Sequence, residues 1–68
     1  MSILTTREKE IFYLLVNGYS SYEIGCKLGI SEKTVCNHIS NVIQKLDVNN
    51  RVAAVVELIK LKEINLTY

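Results

Sequence analysis

Proline and tryptophan are missing altogether, and 68 residues carry only two cysteines and one histidine. With no proline and no low-complexity tract, nothing marks the chain as disordered. Cys26 and Cys36 are too few for a disulfide scaffold, and their spacing matches no zinc motif, so they read as reduced thiols. No apolar run approaches the roughly 18 residues of a membrane span, and the opening Met1-Ser2-Ile3-Leu4-Thr5-Thr6-Arg7 lacks the basic, apolar, small-residue order of a secretion signal. The expectation is a soluble cytoplasmic chain with no membrane role. Charge of one sign is lacking too. A formal net charge of +1 gives too weak a field to single out a nucleic-acid partner. Only a local arrangement of side chains can do that.

What is present is helical. The hydrophobic fraction is 49% and the charged fraction 22%, ordinary for one globular domain. A chain this short buries only about 60% of its unfolded surface, so burial against a partner would help it. Thr5-Thr6-Arg7-Glu8 has the form of a capping box and predicts the start of a helix, whose apolar stripe Ile11, Phe12, Leu14 and Leu15 runs until Asn17-Gly18. Ser20-Ser21-Tyr22-Glu23 is a second box, opening a short helix with Ile24 and Leu28 on one face and Gly29 at its end. Ser31 caps a third helix, with Glu32 at the positive end of its dipole and Val35, Ile39, Val42, Ile43 and Leu46 as one buried stripe. Asp47-Val48-Asn49-Asn50 interrupts the pattern and supplies the next cap. The reading is all-α, a single domain over 1–68, with helices at about 6–17, 21–28, 32–46 and 51–62 and no strand signal.

Two short helices joined through Leu28-Gly29-Ile30-Ser31, with small Gly25 allowing close approach, are the sequence form of a helix-turn-helix. In that motif the second helix enters the major groove of double-stranded DNA. Projection at about 100° per residue puts Lys33, Asn37, Ser40, Asn41 and Gln44 opposite the apolar stripe, with Thr34 and Cys36 on the flanks. Amides and hydroxyls of this kind bond base edges, and Lys33 suits a phosphate or a guanine. Ser31 and Thr34 suit phosphates, while Lys45, Lys27, Arg7 and Arg51 could add attraction for the DNA backbone. The bland alternative is a solvated polar face. It is outweighed by the capped short helix, small residue, tight turn and capped long helix occurring together.

Other residues carry weaker signals. His38 lies between the polar and apolar faces and lacks the convergent partners of a metal or acid–base site, so it reads as structural or phosphate-contacting. Cys26 and Cys36 read as small packing residues ahead of redox sensors, with Cys36 placed where it could be accessible. On the fourth helix Val52, Ala54, Val55, Val56, Leu58, Ile59 and Leu61 cover a wider arc than one core stripe needs. Either they close the chain's own core, or Val52, Val55, Val56 and Ile59 pair with the same helix of a second copy, spacing two reading helices.

These residues together resemble the LuxR-type C-terminal helix-turn-helix family, and within it a short stand-alone spore-development regulator. The resemblance covers nearly the whole chain: Leu4-Thr5-Thr6-Arg7-Glu8, Gly18 to Ile24, Ile30 to Val35, Asn37 to Asn41, Lys45-Leu46, and Arg51 with Ala54-Val55-Val56. It implies a four-helix, sequence-specific transcription regulator without catalysis or cofactor, dimeric through its fourth helix. It also implies base contacts from Cys36, Asn37 and Ser40 and phosphate contacts near Lys33, Thr34, His38, Asn41 and Lys45. Two positions depart from the family pattern. Cys36 stands where Lys or Arg is usual, so one charged contact is lost. Gly25 replaces the usual Ala, at a cost to the second helix of up to about 1 kcal/mol. The chain is expected to be either a stand-alone regulator or a domain excised from a longer one; the initiating Met and capped first helix favour the former, controlled through its abundance or a partner, with RNA polymerase a further partner. The rival expectation is an interaction module on the same scaffold that pairs with another regulator or a polymerase subunit.

Overall fold

The computed structural model describes residues 4–61, and each helix in it begins at a side-chain cap. Helix α1 (Thr6–Val16) opens on the full box: the Thr5 hydroxyl accepts from Glu8 N–H at 3.2 Å, and Glu8 Oε1 accepts from Thr5 N–H at 2.9 Å. Helix α2 (Ser21–Leu28) repeats the arrangement with Ser20 and Glu23, at 3.1 and 2.9 Å. The bonds from the Ser20 backbone and then its hydroxyl hold the Glu23 carboxyl below its ordinary range. Helix α3 (Glu32–Leu46) is capped by Ser31, whose hydroxyl accepts from Thr34 N–H. Helix α4 (Arg51–Lys60) is capped by Asn50, which accepts from Ala53 N–H at 2.8 Å. Each cap satisfies a donor that the first helical turn leaves without a partner.

The first three helices stop in one way, with two N–H groups beyond the end turning back to carbonyls of the last turn. Gly18 and Tyr19 bond to Leu15 and Leu14, and Asp47 and Val48 bond to Gln44 and Ile43. After α2, Ile30 N–H reaches the Gly25 carbonyl at 3.0 Å while Gly29 takes φ 72°. Asp47 does the same work at φ 54°, the one non-glycine residue with positive φ among those described. Asn17 is a cap rather than the last helical residue expected of it. The expected end of the fourth helix at 62 and the tail to Tyr68 lie outside the described residues.

Helix α3 packs against each of the other three, and α2 packs also on α1. The core is Leu4, Ile11, Phe12, Ile24, Val35, Ile39, Val42, Ala54 and Leu58, so the stripes expected of the helices converge on one centre. Leu14, Leu15, Leu28, Ile43 and Leu46 close its rim, partly buried. Leu4 joins from outside the helices. Fully burying an aliphatic or aromatic side chain of this size contributes about 1.5–3 kcal/mol, which is why the fold is organised around these positions.

Gly25 lies where α2 meets the turn most closely. It is buried, and a Cβ placed there would stand 2.7 Å from the Ile30 carbonyl oxygen and 3.4 Å from Glu32 N. The expected close approach is therefore tighter than a side chain accommodates without movement. Among the described residues there are four helices and no strand, and no helix is long and apolar enough to cross a membrane.

Candidate nucleic-acid interface

One face of α3 is committed to the core through Val35, Ile39 and Val42, leaving the other as an outward polar strip. Lys33, Cys36, Asn37, Ser40, Asn41 and Gln44 are all exposed, while Thr34 and His38 are half-buried at the edges. This is the division the projection predicts. Because α3 is gripped by three helices, the strip is carried on a rigid element, as groove reading requires.

At the start of α3, the Ser31 and Thr34 hydroxyls lie 2.9 Å apart and share a hydrogen bond, in addition to the Ser31 cap. One hydroxyl proton of the two is used between them, so the other remains to donate outward. Exposed Glu32 adds a negative charge beside them. The sequence reading missed Tyr22, which is 65% exposed. Hydrogen bonding to Cys26, one turn further along α2, pushes the Tyr22 hydroxyl above its ordinary range, with nearby Glu32 adding to the rise. Its signal in the sequence is an aromatic at the second helical position, off the Ile24–Leu28 face.

The cations are not equally available. Lys27 lies over the Tyr19 ring, 4.9 Å from its centroid, and Arg7 pairs with Glu10 at 3.8 Å. Lys45 Nζ donates to Glu8 Oε1 at 2.7 Å. Burial of Glu8 pushes its carboxyl up, but the Lys45 ammonium and the Thr5 N–H more than offset this and hold it below its ordinary range. Lys33 takes part in neither ion pair formed among the described residues.

Both cysteines are exposed, which corrects the packing role expected for them. Cys26 follows the buried Ile24-Gly25 pair by one step of helix rotation and so turns to solvent. Cys36 shares the outward strip with Asn37. No three of His, Cys, Asp and Glu come together to hold a metal among the described residues.

On α4, Ala54 and Leu58 point into the core. Val52 and Val56 point away, 71% and 46% exposed, while Val55 and Ile59 are partly buried against the core. The four residues expected at a dimer interface thus form two open positions flanked by two half-covered ones.

A capped, rigid helix with a polar, mostly uncharged outer face, held behind a tight turn by a shorter helix, defines a helix-turn-helix protein. The model for bacterial regulatory proteins of the luxR family matches residues 2–58. The chain belongs to that family, transcription regulators with a DNA-binding helix-turn-helix. It is 55% identical over 64 residues to the spore germination protein GerE of Bacillus subtilis (strain 168), covering 94% of this chain and 86% of that one. It is 57% identical over 60 residues to the transcriptional regulatory protein DegU of Brevibacillus brevis, covering 88% of this chain and 25% of that protein. It therefore spans a quarter of the length of DegU. The solved structure of the transcription factor GerE superposes with a TM-score of 0.96 at 57% identity, over 98% of this chain and all of that one.

Proposed function

We propose that this chain is a homodimeric, sequence-specific regulator of transcription that places α3 in the major groove of double-stranded DNA. The observation that carries the reading is the outward strip of α3: Asn37 and Ser40 are exposed on a helix whose other face is locked into the core. Cys36, Asn37 and Ser40 meet base edges, an amide such as Asn37 being suited to a bidentate pair with adenine. Ser31, Lys33, Thr34, His38 and Asn41 meet phosphates and fix the register. Lys45 lies on the same flank with its ammonium already bonded to Glu8. The exposed Val52 and Val56, with Val55 and Ile59, supply a two-fold contact between α4 helices, so that the operator has two half-sites.

Regulation takes place in the cytoplasm, without catalysis or cofactor, and RNA polymerase is a further partner. Likeness to GerE over most of both chains favours a role in spore development. Selecting bound duplexes from a random pool tests the reading, because the recovered motif reports binding, half-site spacing and specificity together. Binding is expected to weaken steeply with salt, and Asn37→Ala to relax base preference without abolishing binding. A failure to prefer any duplex over random DNA at low salt would end the reading. If a stoichiometric protein partner were captured as well, the interaction-module alternative would take its place.

A further inference from the structure

Glu8 is the one charged side chain in the interior among the described residues. Its Oε1 accepts from Thr5 N–H, closing the α1 cap, and from Lys45 Nζ, 37 positions away on α3. The Lys45 side chain is 39% exposed and shares a shallow surface depression with Glu8, Asn41 and Gln44. The cation therefore stands on the flank of the reading face, but its nearest neighbour is a carboxylate that water hardly reaches.

Resting on the DNA-binding reading above, we propose that Glu8 is a positioning residue that masks Lys45. In the native protein the Lys45 cation neutralises Glu8 instead of a DNA phosphate, and loss of the Glu8 charge converts Lys45 into a phosphate contact. The physical reason is a choice between two unfavourable moves. If the ammonium swings to a phosphate, it leaves a buried carboxylate without a counter-charge. If the phosphate approaches the pair where it stands, it meets a unit whose charges sum to zero, with the carboxylate repelling it. Burial pushes the carboxyl up, but the ammonium and the Thr5 N–H more than offset this and hold it below its ordinary range, so it stays ionised at neutral pH. Lys33, which has no such carboxylate, is the counter-example at the other end of α3.

The test is the salt dependence of duplex affinity for the full chain, measured by fluorescence anisotropy on the selected operator. Each phosphate neutralised adds about 0.9 to the slope of log affinity against log salt. Glu8→Gln keeps an acceptor for Thr5 N–H and the side-chain stem, and removes the charge while putting an amide NH2 where the second carboxylate oxygen stood. With one Lys45 in each protomer of the dimer, it is expected to steepen the slope by about 1.8, so that its affinity advantage over wild type shrinks about twelvefold between 50 and 200 mM salt. Glu8→Gln combined with Lys45→Met replaces a neutral pair by a neutral pair and is expected to restore the wild-type slope. A role confined to holding the fold together would not move this slope. An unchanged slope in Glu8→Gln, or a slope about 1.8 shallower than wild type in the double variant, would overturn the proposal. Should Glu8→Gln prove unfolded by circular dichroism, the double variant decides alone: a slope equal to wild type supports masking and a shallower one refutes it. Wild-type protein that binds no duplex at all refutes the DNA-binding reading itself, and this inference with it.

Discussion

Replacing Glu8 with alanine removes an acceptor used twice, and the cost can be assembled from its parts. Losing half of the α1 capping box costs about 1 kcal/mol. Breaking a fully buried ion pair costs about 3–5 kcal/mol, but Lys45 is 39% exposed and its ammonium can be rehydrated, so about 1 kcal/mol is the appropriate figure. The buried stem of Glu8 contributes about 1 kcal/mol more. The carboxylate's own desolvation, relieved in the variant, offsets part of the sum. A loss of about 2–3 kcal/mol is expected, against about 1 kcal/mol for Glu8→Gln, which keeps the stem and the cap acceptor. For a domain of this size that lowers the Tm of Glu8→Ala by roughly 10–20 °C. The assay is urea unfolding followed by helical circular dichroism at one fixed protomer concentration, since dimerisation would make stability concentration-dependent.

The pH dependence carries its own sign. The folded Glu8 carboxyl lies below its ordinary value of 4.5, so near and below that value the unfolded chain binds more protons than the folded one. The stabilisation is therefore complete at neutral pH and is lost as pH falls through the depressed folded value. The gap between wild type and Glu8→Gln should stay constant from pH 7 to about 5.5 and close below that. Stability of Glu8→Ala within about 0.5 kcal/mol of wild type, or a gap that persists undiminished down to about pH 3, would refute the reasoning.

Gly25→Ala gains up to about 1 kcal/mol of helix propensity, but its Cβ would meet the Ile30 carbonyl oxygen at 2.7 Å and force the turn to open. The expected outcome is no net rise in the urea midpoint, with amide chemical-shift changes concentrated at Ile30 to Thr34; a full 1 kcal/mol gain, on the order of the propensity difference, would show that the contact relaxes without cost. Asp47→Gly removes both a side chain held at φ 54° and a negative charge from the negative end of α3, and should raise stability by about 0.5–1 kcal/mol in thermal unfolding. Val52→Asp with Val56→Asp leaves the core-facing Ala54 and Leu58 untouched, so helical circular dichroism should persist while sedimentation shifts to the monomer. An unaltered dimer mass in that variant would place the two-fold contact elsewhere.

The sequence alone determined the helices, because what starts and stops them acts within four or five residues. Thr5 and Glu8, Ser20 and Glu23, and Ser31 and Thr34 lie three apart, and a one-turn hydrogen bond needs nothing from the rest of the chain. The division of α3 into a buried and an outward face was legible for the same reason, since a 3.6-residue period fixes which side chains share a side. Tertiary structure decided what those faces meet. Leu4 precedes the first helix and shows no periodicity, yet it is core, and both cysteines lie on exposed faces although their residue type favours burial. The sequence offers Lys45 as a cation for the DNA backbone, but only the packing of α1 against α3 brings it within 2.7 Å of Glu8. A capping box explains Glu8 completely in one dimension, and its second partner is specified by where two helices cross, which no local pattern encodes.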